Sequence, residues 1–464
     1  MEKNQTPNNR PSNPRRRRRS KFQIFKESYL PVIIAAAAIL LILIFIISSI
    51  SRSIQRRNKE QQEMLEASIA ASIAQKEWDE EAAKISSKAA RLAASYDYES
   101  AIAELDSFSG DINDYPNLLE KRSQYESAQN EMVPFDDLSK IVNLSFQPLI
   151  ADPARAFVDK KYGTSYNKNF VTTAEFSKIL QQLYENNYIL INLSDVNTDL
   201  VLPNGKKPLI LTQTQVNYYT YMTDGDGDKL PDAKGAGFAS KLIVDENGSL
   251  SCEFVDASGS IITGAYDMVP ILEAFIETHP DFSYKGARAI LAITGYDGVF
   301  GYRTNASAKS FFGDAQYEQA VADATKVTEA LRNAGYQIAC YTYENAAYGN
   351  YSAAQIRSDL DSWRAEVSPI LGVVDTLVYA RNSDIAGRNA DYSGAKFTLL
   401  SEFGFTNFLG FCTDGNTWFS QNNNILRQGR ILVTGSNLAH HAEWFDGILD
   451  PTSILDPARG TIPS

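Results

Sequence analysis

Residues 31–50, PVIIAAAAILLILIFIISSI, form a run of twenty residues without a charged side chain. A helix of about 20 residues matches the hydrocarbon thickness of a bilayer. Because backbone groups in lipid must hydrogen-bond within their own segment, a helix is the conformation that suits such a run. The sequence therefore predicts a membrane-spanning helix that divides the chain into a short N-terminal and a long C-terminal part.

The charges around this run predict its orientation. Residues 1–30 contain nine Lys/Arg and two Glu, a net charge of +7, which leaves −19 for the rest of a chain whose total is −12. Four basic residues follow the run within ten positions. The larger basic count lies on the N-terminal side, so we expect a cytoplasmic basic tail (1–30) and an extracellular remainder. This topology explains the basic tail without a nucleic-acid partner.

The segment after the run, SRSIQRRNKEQQ, offers no small-residue cleavage site, which predicts an uncleaved, single-pass anchor in the cell membrane. Residues 51–135 have helix-forming composition and contain a pattern that resembles one tetratricopeptide-like hairpin. Since one such repeat cannot bury a solenoid core, we expect an extracellular helical stalk. The three cysteines, Cys252, Cys340 and Cys412, are too few for a disulfide-built domain, although one disulfide bond between two of them remains an alternative.

From residue 136 to residue 464, short β-rich runs alternate with amphipathic helices. Examples are the helix TTAEFSKILQQLYENNY, the strand ARAILAITGY and the strand QIACYTY. Such alternation predicts an α/β domain with a parallel sheet, and its length suits a closed, distorted (β/α) barrel. Functional side chains of such barrels follow the carboxyl ends of the strands, here expected after residues 213, 293, 340, 379 and 411.

Several of these segments, in this order, carry a family resemblance. PLILTQTQVNYYTYM, ARAILAITGYDGVFGYRT and IACYTYENAAYGNYSAAQIRSDLDSW resemble the polysaccharide deacetylase family, and within it the long, membrane-anchored Gram-positive branch. The resemblance covers about residues 140–460. It implies a distorted (β/α) barrel of the glycoside hydrolase/deacetylase type that removes acetyl groups from cell-wall glycans. It also implies one divalent metal ion, bound by an aspartate and two histidines, with a second aspartate as the base.

The residues at the motif positions differ from the family pattern. The Asp-Asp pair falls on Thr214 and Gln215, and the His-x-x-x-His pair falls on Tyr341 and Asn345. A hydroxyl, a phenol and an amide are poor replacements for imidazole and carboxylate ligands. Without the metal ion and the aspartate base, the usual hydrolysis has no activated water. We therefore expect no catalytic residue and no metal ion at the family site.

The three histidines offer no convincing replacement. His279 precedes a proline at a helix end, where a capping role is expected. His440 and His441 are adjacent near the last strand, and neighbours on a strand point to opposite faces. The loop after residue 340 is instead rich in tyrosine and asparagine. Side chains that either contact a glycan or pack the barrel mouth are Tyr341, Tyr343, Asn345, Tyr348 and Arg381.

A second stretch, TDGDGDKLPD, spaces Asp224, Asp226, Asp228 and Asp232 like the start of a calcium-binding loop. It departs from the EF-hand pattern, because Lys229 stands at the sixth position and Gly235 at the twelfth. A weak Ca²⁺ site and a solvated acidic loop both remain open.

The sequence as a whole predicts a membrane-anchored, extracellular, catalytically inactive deacetylase-like protein that binds cell-wall polysaccharide, peptidoglycan or a wall-synthesis partner. Two alternatives remain. One is an active metal-dependent polysaccharide deacetylase, which hydrolyses C–N bonds other than peptide bonds, built from non-standard residues. The other is a scaffold for protein interaction.

Overall fold

The structure, a computed structural model, describes residues 22, 25, 29–197, 200–388 and 390–464. It contains two compact units, Met1–Glu81 and Ala82–Ser464. The predicted basic tail, residues 1–30, lies almost entirely outside the described residues.

Helix α1, Leu30–Ala94, contains the uncharged run. After Pro31 in its first turn, neither proline nor glycine interrupts its 65 residues, so no position breaks the helix. Within the described part of the chain, α1 is the one helix that is long and apolar enough to cross a membrane. None of the residues in its most apolar 18-residue stretch is buried. Membrane anchors and signal sequences share these properties.

The second unit begins with the last turns of α1, followed by α2, Tyr98–Asp106, and α3, Pro116–Asn130. Asp97 begins α2, because its carboxylate accepts the backbone N–H of Ser100. The three helices share a small apolar cluster that includes Ala89, Leu105 and Leu118. Residues 82–94 therefore contribute to this cluster in addition to the two helices of the hairpin pattern.

The strands of the second unit form one closed barrel and two smaller sheets. Their bounds are β1 Val133–Pro134, β2 Val142–Phe146, β3 Tyr188–Leu190, β4 Val201–Leu202, β5 Lys207–Thr214, β6 Lys241–Val244, β7 Leu250–Val255, β8 Ile261–Gly264, β9 Ile290–Ile293, β10 Gln337–Cys340, β11 Thr376–Val378, β12 Asn407–Phe411, β13 Phe419–Asn422 and β14 Ile425–Leu432. Seven parallel strands close the ring in the order β2-β5-β9-β10-β11-β12-β14, and β14 pairs with β2. The predicted α/β class and distorted (β/α) barrel are confirmed.

Helices surround this ring. The remaining α-helices are α4 Pro153–Ala156, α5 Gly163–Asn169, α6 Thr173–Glu185, α7 Thr220–Thr223, α8 Met268–Thr278, α9 Ala306–Phe312, α10 Asp314–Ala334, α11 Ala353–Glu366, α12 Ser368–Leu371, α13 Gly394–Glu402, α14 Gly435–His440 and α15 Pro451–Ile454. Capping boxes begin both α6 and α11, at Thr172 and Ser352. Helix α6 buries Phe176, Ile179 and Leu183 against the strands, and each buried side chain stabilises the fold by about 1.5–3 kcal/mol.

Alternate residues of the strands point into the barrel. On β2, Val142, Leu144 and Phe146 pack outward against helices, while Asn143 and Ser145 point inward. Asn143 accepts a hydrogen bond from Thr212 Oγ1 at 2.9 Å and donates one to Gln428 Oε1 at 3.0 Å. The barrel interior is thus apolar at many positions but contains a hydrogen-bonded polar layer between β2, β5 and β14.

The C-terminal residues pack back onto the start of the domain. Arg459, after the last helix, forms a buried ion pair with Glu175 of α6, with Nε and Oε1 2.5 Å apart. Arg459 also donates to the carbonyl oxygens of Asn167 and Phe170. These hydrogen bonds satisfy both buried charges, so the pair fixes the C-terminal segment against α5 and α6.

Candidate functional site

The carboxyl ends of the barrel strands meet at one mouth, where several predicted site residues come together. Thr214 is the last residue of β5 and Gln215 follows it, while Tyr341 follows β10. The Tyr341 hydroxyl lies near the Thr214 and Gln215 side chains and the Arg381 backbone. The Thr214 hydroxyl itself donates to the Phe146 carbonyl at 3.2 Å.

A buried guanidinium group lies near this cluster. Arg430 of β14 is fully buried and donates to Ser145 Oγ at 2.7 Å and to the carbonyls of Gly410 and Tyr379. It makes no ion pair among the described residues, and burial lowers its pKa to about 10. The deep part of the mouth therefore contains a resident positive charge, which opposes the binding of a metal cation there.

The titratable groups of this cluster are poor bases at neutral pH. Burial raises the pKa of Tyr341 above its usual value, and the nearby Arg430 offsets only part of this effect. Burial also raises the pKa of the nearby Cys412 thiol to about 12. Both groups are protonated at neutral pH, so neither is an effective general base or nucleophile in that state.

Asn345 lies in the turn after β10 with a φ of 55°. Its Oδ1 is buried and accepts no hydrogen bond from the residues that the structure describes. Thr342, in the same turn, has a φ of 63°, which is strained for a β-branched residue.

Strained residues of this kind concentrate at the mouth. Of 13 non-glycine residues with positive φ in the described chain, eight lie in the loops after β5, β9, β10 and β11. They are Gln215, Tyr218, Asp297, Phe300, Thr342, Asn345, Arg381 and Asn382. Such conformations cost of order 1–3 kcal/mol each and cluster at functional sites, which supports this mouth as the candidate site.

Two of the tyrosines for which glycan contact and packing of the mouth were both open have partners within the protein. Tyr348 is fully buried and donates to Asp359 Oδ2 of α11 at 2.6 Å. Tyr343 is half-buried, donates to Glu366 at 2.6 Å, and packs so closely on Gly295 that a Cβ there would overlap its ring. Asp359 also accepts the backbone N–H groups of Tyr343 and Glu344. These contacts hold the loop after β10 against α11.

An exposed aromatic group that sequence reasoning missed lies beside the mouth. The Tyr219 hydroxyl and Thr294 Oγ1, just after β9, are hydrogen-bonded at 2.9 Å. Its ring stacks on Tyr221 with centroids 5.6 Å apart and contacts Tyr296 at 5.8 Å. Tyr221 is 42 % exposed and Tyr296 is 57 % exposed. The available signal was the two tyrosine-containing loops after β5 and β9, NYYTYM and GYDG.

Arg381 has an exposed side chain in the loop after β11. Asp297, which follows Tyr296 in the chain, has partners of its own, because its Oδ2 accepts the Thr220 N–H at 2.6 Å and lies 3.6 Å from Arg303 Nη1. The rim of the mouth therefore combines exposed aromatic rings with polar side chains.

The histidines do not converge. His279 caps α8 and stacks on Phe275 at 4.4 Å. His440 is the last residue of α14 and contacts the Ile462 carbonyl, whereas His441 contacts Glu443. The expectation that these two histidines lie on a strand is wrong, because the Thr434 side chain accepts the Asn437 N–H and begins a short helix there.

Three of the four loop aspartates lie close together. Ligand oxygens of Asp224, Asp226 and Asp232 are within 4.8 Å of one another, and Asp228 is outside this group. It is the single cluster of three potential metal-ligating side chains within the described ranges. Backbone N–H groups of the loop, including those of Gly227 and Lys229, donate to Asp224.

No protein-family model and no curated protein matches the chain. Among solved structures, it is similar to the Streptococcus pyogenes deacetylase PplD in complex with acetate, with 13 % identity, a TM-score of 0.37, and coverage of 66 % of this chain and 98 % of that one. It is also similar to IcaB from Ammonifex degensii, with 10 % identity, a TM-score of 0.34, and coverage of 66 % of this chain and 96 % of that one. A third similar structure is a de-N-acetylase from Aggregatibacter actinomycetemcomitans, with 10 % identity, a TM-score of 0.37, and coverage of 67 % of this chain and 99 % of that one.

Proposed function

We propose that this chain is a membrane-anchored, deacetylase-like protein that binds cell-wall polysaccharide at the barrel mouth without hydrolysing it. The observation that carries the proposal is the exposed pair Tyr221 and Tyr296 beside a deep cluster of Thr214, Gln215 and Tyr341. Aromatic faces pack on the apolar faces of sugar rings, and hydroxyl and amide groups hydrogen-bond to sugar hydroxyls.

The same deep cluster supports the absence of hydrolysis. Its members are neutral at physiological pH, and the nearby charge is the guanidinium of Arg430. Hydrolysis of an acetamide needs a base and a means to stabilise the developing oxyanion, and a metal ion usually supplies activated water. In our proposal the barrel keeps the shape of a deacetylase and uses it for recognition.

The location of the protein is part of this proposal. The uncharged segment of α1 serves as the anchor, the basic tail stays in the cytoplasm, and the barrel lies outside the cell beside the wall. The excess of Lys/Arg on the N-terminal side of the segment supports this orientation.

The decisive experiment uses the full chain purified in detergent, with N-acetylated chitooligosaccharides and purified peptidoglycan as probes. We expect no acetate release above a protein-free control, with or without added zinc, cobalt or manganese. We expect binding to at least one of the two glycans, measured by calorimetry or sedimentation. Acetate release that a chelator abolishes would instead establish an active deacetylase.

Variants locate the binding site. Tyr221→Ala and Tyr296→Ala should each weaken glycan binding about tenfold, which corresponds to about 1.4 kcal/mol. Phe311→Ala is the matched control, because Phe311 is an exposed aromatic residue outside the tyrosine group. If neither glycan binds, or if the control weakens binding as much as the tyrosine variants, the proposal is wrong and the scaffold alternative gains support.

A further inference from the structure

A cavity of about 330 Å³ lies outside the barrel, beside the small sheet of β6, β7 and β8. The loop 229–231 forms one wall, and residues of α9 and α10 form another. Its apolar lining includes Leu230, Val255, Ile261, Tyr302, Phe312 and Tyr317. Its volume is at the lower end of the range for ligand pockets and suits one or two large apolar side chains.

An exposed edge strand borders this cavity. Among the described residues, β8 pairs only with β7, in antiparallel register with Val255 opposite Ile261. Both members of this pair line the cavity. Ile261 is 69 % exposed, and its neighbour Ile262 is also exposed. Because an edge strand presents backbone N–H and C=O groups without strand partners, an apolar one is a template for a further strand.

The charge of the cavity lining is opposite to that of the whole chain. Three basic residues, Lys229, Lys241 and Arg303, line it, against one acidic residue, Glu253. Lys241 pairs with Glu253 at 3.0 Å, and Arg303 pairs with Asp297. Lys229 packs over the Phe311 ring at 4.2 Å and makes no ion pair within the described part of the chain. Lys229 thus places a cation in the lining of a mostly apolar cavity.

From these observations we infer that β8 and the adjacent cavity form a docking site for an extended, acidic and apolar peptide segment of a protein partner. The segment adds a strand to β8 through backbone hydrogen bonds. One of its apolar side chains enters the cavity beside Tyr302 and Phe312, and a carboxylate reaches the ammonium group of Lys229. The lining of this cavity shares no residue with the cluster of Thr214, Gln215 and Tyr341, and the inference does not depend on glycan binding.

The test is a selection of random twelve-residue peptides on the full chain in detergent, followed by binding measurements on the enriched peptides. We expect sequences that alternate apolar residues and contain Asp or Glu near an aromatic or leucine residue. Two variants should each weaken their binding at least tenfold. Ile261→Lys places a charge on the edge strand, and Lys229→Glu reverses the charge in the cavity lining.

Lys326→Glu is the control, because Lys326 is an exposed lysine of α10 that does not line the cavity, and it should leave binding unchanged. Far-UV circular dichroism verifies that each variant is folded. The inference is overturned if no peptide distinguishes the wild-type chain from Ile261→Lys. It is equally overturned if enriched peptides are basic, or if anionic lipid vesicles bind in an Ile261-dependent way while peptides do not.

Discussion

Asp267 is fully buried beside β5, the strand that ends at Thr214. Its carboxylate accepts hydrogen bonds from the Leu149 N–H at 2.8 Å, from Gln213 Nε2 at 2.8 Å and from the Tyr218 hydroxyl at 2.6 Å. Burial raises the pKa of this carboxyl, because these hydrogen bonds offset only part of the lost hydration. The Gln213 contact connects Asp267 to the strand that ends at the mouth.

Because of this raised pKa, Asp267 binds a proton more tightly in the folded state than in the unfolded chain, where an aspartate has a pKa of about 3.9. The contribution of this carboxyl to stability is therefore fully present below about pH 4 and is lost as pH rises through the folded-state pKa. Asp267→Asn keeps the acceptor oxygen and removes the titration. We expect a flatter dependence of the free energy of unfolding on pH, measured by urea denaturation between about pH 4 and 7. Exposed Asp228→Asn is the control, and an unchanged slope in Asp267→Asn would contradict the argument.

At the scale of single elements, helix α11 holds the loop after β10 through Asp359. The helix begins with a capping box in which Ser352 Oγ accepts the Gln355 N–H and Gln355 Oε1 accepts the Ser352 N–H. Ser352→Ala should lower the free energy of unfolding by about 1 kcal/mol, because it leaves a helix N–H without its partner. Ser358→Ala, inside the same helix, should change it little or raise it. Equal effects of the two substitutions in urea denaturation would argue against the cap.

The aspartate-rich loop is a second element with a direct test. Its three clustered carboxylates suit a hard cation, and extracellular calcium sites of weak affinity have dissociation constants of about 10⁻⁴–10⁻³ M. If the loop binds calcium, about 2 mM Ca²⁺ raises the melting temperature of the wild-type chain by ligand linkage. Asp224→Asn should abolish this increase, while Asp256→Asn, in another exposed turn, should preserve it. No increase in the wild-type chain would leave a solvated acidic loop.

The elements that the sequence predicted best are those with one simple periodicity. The amphipathic helix predicted over TTAEFSKILQQLYENNY is present as α6, and its apolar residues Phe176 and Ile179 are buried. Strand β2 was not predicted, although the alternation of Asn143 and Ser145 with apolar residues is typical of a half-buried strand; the structure buries both of its faces. Their hydrogen-bond partners, Gln428 and Arg430, lie more than 280 residues away in the chain. Such a polar layer in a barrel interior is visible only after the ring closes.

The candidate site was likewise predictable only where the signal is local in the sequence. The sequence predicted functional side chains after β5 and β10 without showing which of them meet, and in the structure Thr214, Gln215 and Tyr341 lie near one another. The burial of Tyr348 was not predictable, since its partner Asp359 follows on a separate helix and both lie in polar sequence. The group formed by buried Tyr219 and the exposed Tyr221 and Tyr296 comes from two loops far apart in the chain. No local pattern identifies rings that meet only in three dimensions.

At the scale of the whole molecule, the proposed topology predicts accessibility. All three native cysteines are free and buried, so they give little background to a membrane-impermeant maleimide. Ser249→Cys, in an exposed turn between β6 and β7, should be labelled in intact cells. Ser12→Cys, in the basic tail, should be labelled only after the membrane is permeabilised. The reverse pattern would place the barrel in the cytoplasm.

The pairing of β14 with both β12 and β2 has a consequence for biosynthesis. The seventh strand of the ring, β14, is also the last of the ring in chain order. A nascent chain that lacks residues 425–432 therefore has a gap between β2 and β12. Two unsatisfied strand edges then face each other across the gap. The ring can therefore close only after residue 432 has left the ribosome. A chain truncated before β14 keeps both edges open, and we expect it to aggregate.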